Sequence, residues 1–214
     1  KAMQDAVDIP VTVKHRLGLD YDDSYAFVRD FVGKLYDTGC RVFVVHARNA
    51  VLKGLSPKEN RDIPPLRYDA AMQLKRDFPD CVVVLNGGLA DAAQAQADGA
   101  GFDGVMLGRA AWHTPRVLSE LSMRFWPSVR LPSDAQVVDA MTAYAARQVA
   151  AGVPLRVMVR PMLGLTNGLS GARRWRRMLS DPMRLAANDP GLIYEVWRSL
   201  QTGRDAPEAA VAQT

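Results

Sequence analysis

Val82-Val83-Val84-Leu85-Asn86-Gly87-Gly88 and Gly104-Val105-Met106-Leu107-Gly108-Arg109 share one plan: an apolar run that ends in glycine. Two earlier stretches, Val11-Thr12-Val13-Lys14-His15-Arg16 and Val42-Phe43-Val44-Val45-His46-Ala47-Arg48, end instead in charged and imidazole side chains. Each run reads as a β-strand, and such continuous hydrophobicity marks a parallel sheet buried beneath helices. In a parallel α/β barrel the active site lies at the C-terminal ends of the strands, where all four endings fall. Glycines and backbone N–H groups after two consecutive strands, joined by one arginine, suit a phosphate group.

Helical patterns separate the strands. Tyr25, Val28, Phe31, Val32 and Leu35 keep helical spacing behind the acids Asp22 and Asp23, and Gly39 closes that helix. Further helices are predicted near 68–75 and 91–97, so strand and helix alternate as in a barrel. No convincing strand follows Gly108. Pro127 and Pro132 mark a linker, and from Ser133 the chain reads as helices. Ser133 and Gln136 form a capping box, Val137, Met141, Tyr144 and Gln148 form one face, and Gly152 ends the helix. The expected organisation is half of a TIM barrel over 1–126, an all-α domain over 133–200 and a disordered tail over 201–214.

A chain of 214 residues with 48% hydrophobic and 23% charged content can bury a core, so it is globular. No apolar run approaches a membrane span and the first residues lack a secretory core, which makes the cytoplasm the default location. Cys40 and Cys81 are far apart and each opens an apolar run, so both read as buried thiols. Three histidines and two cysteines at these spacings form no metal constellation. The net charge of +4 is mild, but its distribution is not. Arg156, Arg160, Arg173, Arg174, Arg176, Arg177 and Arg184 face a single acid, Asp181, within one segment, enough to neutralise a line of phosphates.

Gly99-Ala100-Gly101-Phe102-Asp103-Gly104 spells a dinucleotide fingerprint but precedes a strand, so these glycines are assigned to a turn. Asn86-Gly87-Gly88 alone fits a tight turn as well as a ligand site. Gly108-Arg109, one strand later, favours the ligand, because barrel phosphate sites are built from the last two βα loops together. Lys14 and His46 end two earlier strands and point toward the same mouth, where a lysine can stabilise the electron-rich edge of a reduced flavin. His15 and His113 read as structural or surface groups. Ser56, Pro57 and Glu59 form a capping box, so the segment Lys53–Arg61 contains a single helical turn, with Lys53, Lys58 and Arg61 facing an anionic substrate.

These strings, with Ile63-Pro64-Pro65-Leu66-Arg67-Tyr68 and Gly171-Ala172-Arg173-Arg174-Trp175-Arg176-Arg177, closely resemble the tRNA-dihydrouridine synthases. Lys53–Arg61 and Gly171–Arg177 resemble the A-type members, which act on uridines 20 and 20a of the tRNA D-loop. The resemblance implies an FMN enzyme that reduces the C5–C6 double bond of uridine, with NADPH reducing the flavin. It places Lys14 and His46 at the flavin and its ribityl-phosphate arm, and Asn86, Gly87, Gly88, Gly108 and Arg109 at the phosphate. Lys58, Arg61, Arg174 and Arg177 would meet tRNA.

The family also carries an Asn-x-Gly-Cys-Pro stretch whose cysteine protonates C5, and this sequence has none. The resemblance therefore implies the C-terminal portion of such an enzyme, unable to complete the reaction alone and prone to self-association through exposed barrel edges. Two other readings stay open: another FMN-dependent barrel oxidoreductase, or an RNA-binding remnant without flavin chemistry.

Overall fold

A computed structural model of the chain describes residues 1–20 and 22–201, so the expected tail lies, from residue 202 on, outside the described residues. The chain divides into two compact units, Lys1–Ala110 and Ala111–Thr214. The first begins with the short helix α1 (Ala2–Ala6) and then alternates β1 (Val13–Arg16), α2 (Tyr25–Asp37), β2 (Val42–His46), α3 (Glu59–Asp62), α4 (Tyr68–Asp77), β3 (Val82–Asn86), α5 (Ala92–Asp98) and β4 (Gly104–Met106). The strands are all parallel and lie in the order β1-β2-β3-β4, a four-strand arc of the TIM-barrel pattern.

Alternation along the strands sends Phe43, Val45, Val83 and Leu85 to one face, where each is at most 2% exposed. Helix α2 covers them with Val28 and Val32, and α4 with Ala70, Ala71 and Leu74. Val32, Leu74 and Phe78 close on Phe43, Val45 and Val83 around one spot. Burying each large side chain contributes about 1.5–3 kcal/mol. The opposite face carries Lys14 and Arg16, Val44 and His46, Val84 and Asn86, Gly104 and Met106 in register. It is far less covered: Val82, also on this face, is 41% exposed and Met106 36%.

The cap of α2 is Ser24, whose hydroxyl accepts the Phe27 N–H; Asp22 acts one step back, accepting from the Ser24 hydroxyl at 2.8 Å. The turn into β4 is built by Gly99 and Gly101 as expected, and Gly101 adopts φ +87°. Strand β4 is shorter than the apolar run over 102–107 suggests.

The second unit contains α7 (Arg116–Phe125), α8 (Asp134–Ala150), α9 (Leu155–Val159), a 3₁₀ turn (Arg160–Met162), α10 (Ala172–Leu179), α11 (Pro182–Ala186) and α12 (Gly191–Gln201). The preceding helix α6 (Arg109–His113) spans the division between the units. That division falls ahead of the expected break at 127–132, and the proline-bearing stretch instead joins α7 to α8. The reason is local. Arg116 donates through Nε to the Leu165 carbonyl at 2.9 Å and pairs with Asp134, while Gly164 lies so close to the His113 carbonyl that a Cβ would sit 1.9 Å from its oxygen.

The Ser133–Gln136 capping box forms in both directions. The buried face of α8 is rotated by about one residue from the expected one: Val138 and Ala145 are fully buried, whereas Tyr144 is 42% exposed. Trp175 is the centre of this core. It is fully buried, its indole N–H donates to the Met162 carbonyl at 2.8 Å, and it meets Trp197 edge-on at 6.2 Å.

Candidate active site at the strand ends

Register brings Arg16, His46, Asn86 and Met106 into one row across the C-terminal ends of the four strands. Gly87 and Gly108-Arg109 therefore emerge at the same end of the sheet. The Asn86 side chain donates to the Met106 carbonyl at 2.7 Å and ties the two loops together.

His46 reports the electrostatics of this end. Partial burial and the charges of Arg16, Lys14, Arg48 and Arg109 push its pKa down to about 4, so it is neutral at pH 7. Burial and Arg16 likewise lower Lys14. Lys14 is exposed and, among the described residues, has no ion-pair or hydrogen-bond partner. One carboxylate answers this cluster: Asp62 Oδ1 lies 2.7 Å from an Arg109 terminal nitrogen, and that contact holds the Asp62 carboxyl below its usual range.

The glycines divide by role. A Cβ on Gly87 would come within 2.4 Å of the His46 ring, and one on Gly88 within 2.4 Å of Leu66, so these positive-φ residues make room for the protein's own side chains. Tyr68 completes the turn by donating its hydroxyl to the Gly87 carbonyl at 2.7 Å. The space a Cβ would take on Gly108 is open to 4 Å.

The long segment after β2 is held by two arginines that sequence reasoning missed. Arg16 donates to the carbonyls of Asn49 and Asn60 at 2.7 and 2.8 Å, and the buried Arg48 donates to those of Asp62 and Pro64. Arg16 could have been found from the sequence, because two residues after Lys14 a strand side chain returns to the same face. These clamps fix α3, and the expected Ser56–Glu59 bonds form but close a turn ahead of it: the Ser56 N–H donates to Glu59 at 2.8 Å and the Ser56 hydroxyl accepts the Glu59 N–H, while the helix itself begins at Glu59. Lys58 and Arg61 stand exposed here, their side chains in no hydrogen bond or ion pair among the described residues. His15 sits apart from the site, packed beside Phe31 and Phe43 on the covered face.

Cys40 and Cys81 are both buried and precede β2 and β3, at the end of the sheet opposite this row. Burial pushes the Cys81 thiol up, away from reactivity. Among the described residues there is no cluster able to hold a metal ion, and no helix long and apolar enough to cross a membrane.

In the second unit Arg173, Arg174, Arg176 and Arg177 are exposed on α10, while Trp175, Met178 and Leu179 turn inward. Arg174 and Arg177 line a common cleft with Arg184.

The model of the family described as "Dihydrouridine synthase (Dus)" matches residues 1–209. The chain is 48% identical over 205 residues to a tRNA-dihydrouridine(20/20a) synthase of Pseudomonas putida, covering 95% of this chain and 61% of the relative. It is 51% identical over 202 residues to the protein of that name from Pseudomonas syringae pv. tomato, covering 94% and 60%. For the one from Escherichia coli K12 the figures are 46% over 195 residues, 90% and 56%. The chain thus spans about three fifths of the length of these curated relatives. With that match over nearly all of its length, and a fold of parallel strands alternating with helices, the chain belongs to the dihydrouridine synthase family.

Proposed function

We propose that this chain contributes the phosphate-binding and RNA-binding parts of an FMN-dependent reduction of uridine to 5,6-dihydrouridine at positions 20 and 20a of the tRNA D-loop, with NADPH as reductant of the flavin. The observation that carries this reading is the cation cluster around His46, which Asp62 balances only in part. The residues present fit a phosphate-bearing flavin: Lys14, Arg16, Arg48 and Arg109 converge at the ends of parallel strands, and the approach to the Gly108 backbone is open.

In this reading the Arg109 guanidinium and the N–H groups of the Gly87-Gly88 and Gly108 loops hold the phosphate. Lys14 would bring positive charge to the flavin, and neutral His46 would offer a hydrogen bond without adding charge. When bound, FMN would supply the hydride that reduces the uracil double bond. Neither cysteine of this chain stands at the C-terminal strand ends, so no cysteine is placed there to protonate C5, and the residues of that end would bind and orient. A uridine must leave its stack to reach such a mouth, and Lys58, Arg61, Arg174 and Arg177 would hold the surrounding RNA by its phosphates.

Titration with FMN, followed by flavin fluorescence, tests this reading. Saturable binding that weakens in Lys14→Ala and Arg109→Ala is the expected result. Absence of FMN binding with retained tRNA binding would favour the RNA-binding reading, and FMN binding without tRNA binding would favour a different flavin reductase.

A further inference from the structure

We infer that Tyr68 is a positioning residue for the phosphate of a bound flavin: its hydroxyl holds the Gly87 carbonyl and thereby aims the Gly88 N–H into the strand-end site. The inference rests on the phosphate reading above and deepens it, naming the side chain that orients one of the donors.

Tyr68 opens α4, the helix that covers the sheet through Ala70, Ala71 and Leu74. The Arg67 N–H just before it donates to the Ala47 carbonyl at 2.8 Å, and the Ala47 N–H donates to the Asn86 carbonyl at 2.9 Å. The phenol therefore starts from a frame shared with the ends of β2 and β3, and its hydroxyl meets the Gly87 carbonyl at 2.7 Å. Burial raises the pKa of that hydroxyl, so it remains a donor at neutral pH.

The Gly87–Gly88 peptide needs such a hold. Gly87 sits at φ +104° and Gly88 at φ +73°, conformations that glycine exchanges for negative φ at little cost, so the plane between them can turn over. No peptide bond among the described residues is cis, and in a trans peptide the C=O and N–H point in opposite directions. With its carbonyl drawn to Tyr68, this peptide turns the Gly88 N–H the other way, where it has no acceptor among the described residues. Because α4 packs on the covered face, that direction is toward the open face bearing Lys14, Arg16 and His46. Turned over, the same peptide would present carbonyl lone pairs there, which repel a phosphate.

The test is titration of the full chain with FMN and with riboflavin, which has the same ring system and no phosphate, in wild type and Tyr68→Phe. The readout is the ratio of the two affinities, in which any loss of folded protein cancels. Wild type should prefer FMN, and Tyr68→Phe should lower that preference about three- to tenfold, the scale of one hydrogen bond, with riboflavin affinity nearly unchanged. Tyr68→His, whose shorter side chain also gives up the bond, replaces the variant if Tyr68→Phe does not fold. An unchanged preference, with both affinities falling together or neither falling, makes Tyr68 merely structural and overturns the inference while the phosphate reading stands. A wild-type chain that binds FMN no better than riboflavin overturns both.

Discussion

The carboxylate of Asp62, on the α3 turn, lies 2.7 Å from the guanidinium of Arg109, at the start of α6, so the strand-end cluster carries its own counter-ion. A bound phosphate must share Arg109 with it. Asp62→Asn should therefore tighten FMN binding, modestly because the ion pair it removes is exposed to solvent. Arg109→Ala should weaken it by about 1.5–3 kcal/mol. Parallel flavin titrations of the two variants check both signs.

Gly87 and Gly108 should respond differently to alanine. At Gly87 the backbone sits at φ +104° and the new methyl would strike the His46 ring, so Gly87→Ala should cost about 1–3 kcal/mol from the backbone alone. Gly108 has open space, so Gly108→Ala should leave the thermal midpoint within a degree or two while reducing FMN affinity. Calorimetry and flavin titration on the same preparations separate the two effects.

Acid should destabilise the fold through His46. Its pKa is about 4 in the fold against 6.5 unfolded, so between these values the unfolded chain takes up a proton that the native chain does not. Stability should fall as pH drops from about 6.5 toward 4. Half-buried His15, also lowered, adds a dependence of the same sign, so the difference between wild type and His46→Gln isolates His46. Chemical denaturation across this range should show a shallower pH dependence in the variant.

Trp175 anchors the helical unit, and Trp175→Ala should cost about 3–5 kcal/mol through the cavity it leaves and the Met162 carbonyl it strands. The check is far-UV circular dichroism on heating, with tRNA affinity measured below the transition.

The less covered sheet face, with Val82 and Met106 exposed, leads us to expect association of the chain with itself at micromolar concentration. Light scattering across a dilution series should show mass falling toward the monomer. A constant monomer mass would refute it.

The strands were legible because their apolar runs are bounded by glycine and charge, and the strand-end row followed from parallel order alone. Helices α6 and α7 were not, since Arg109–Phe125 carries apolar residues that remain exposed, among them Trp112, Leu118 and Met123. Asp62 escaped notice because its role depends on a contact 47 residues away in sequence, which no local pattern encodes.

The strand order β1-β2-β3-β4 also has a temporal meaning. Each strand pairs with the one synthesised just before it, so the sheet can grow in step with translation, every addition closing a loop of modest length. Gly108 and Arg109 follow the last of these strands. The β3 and β4 loops, where the proposed phosphate site would lie, are therefore brought together only by the last of these strands, once the scaffold beneath them has set.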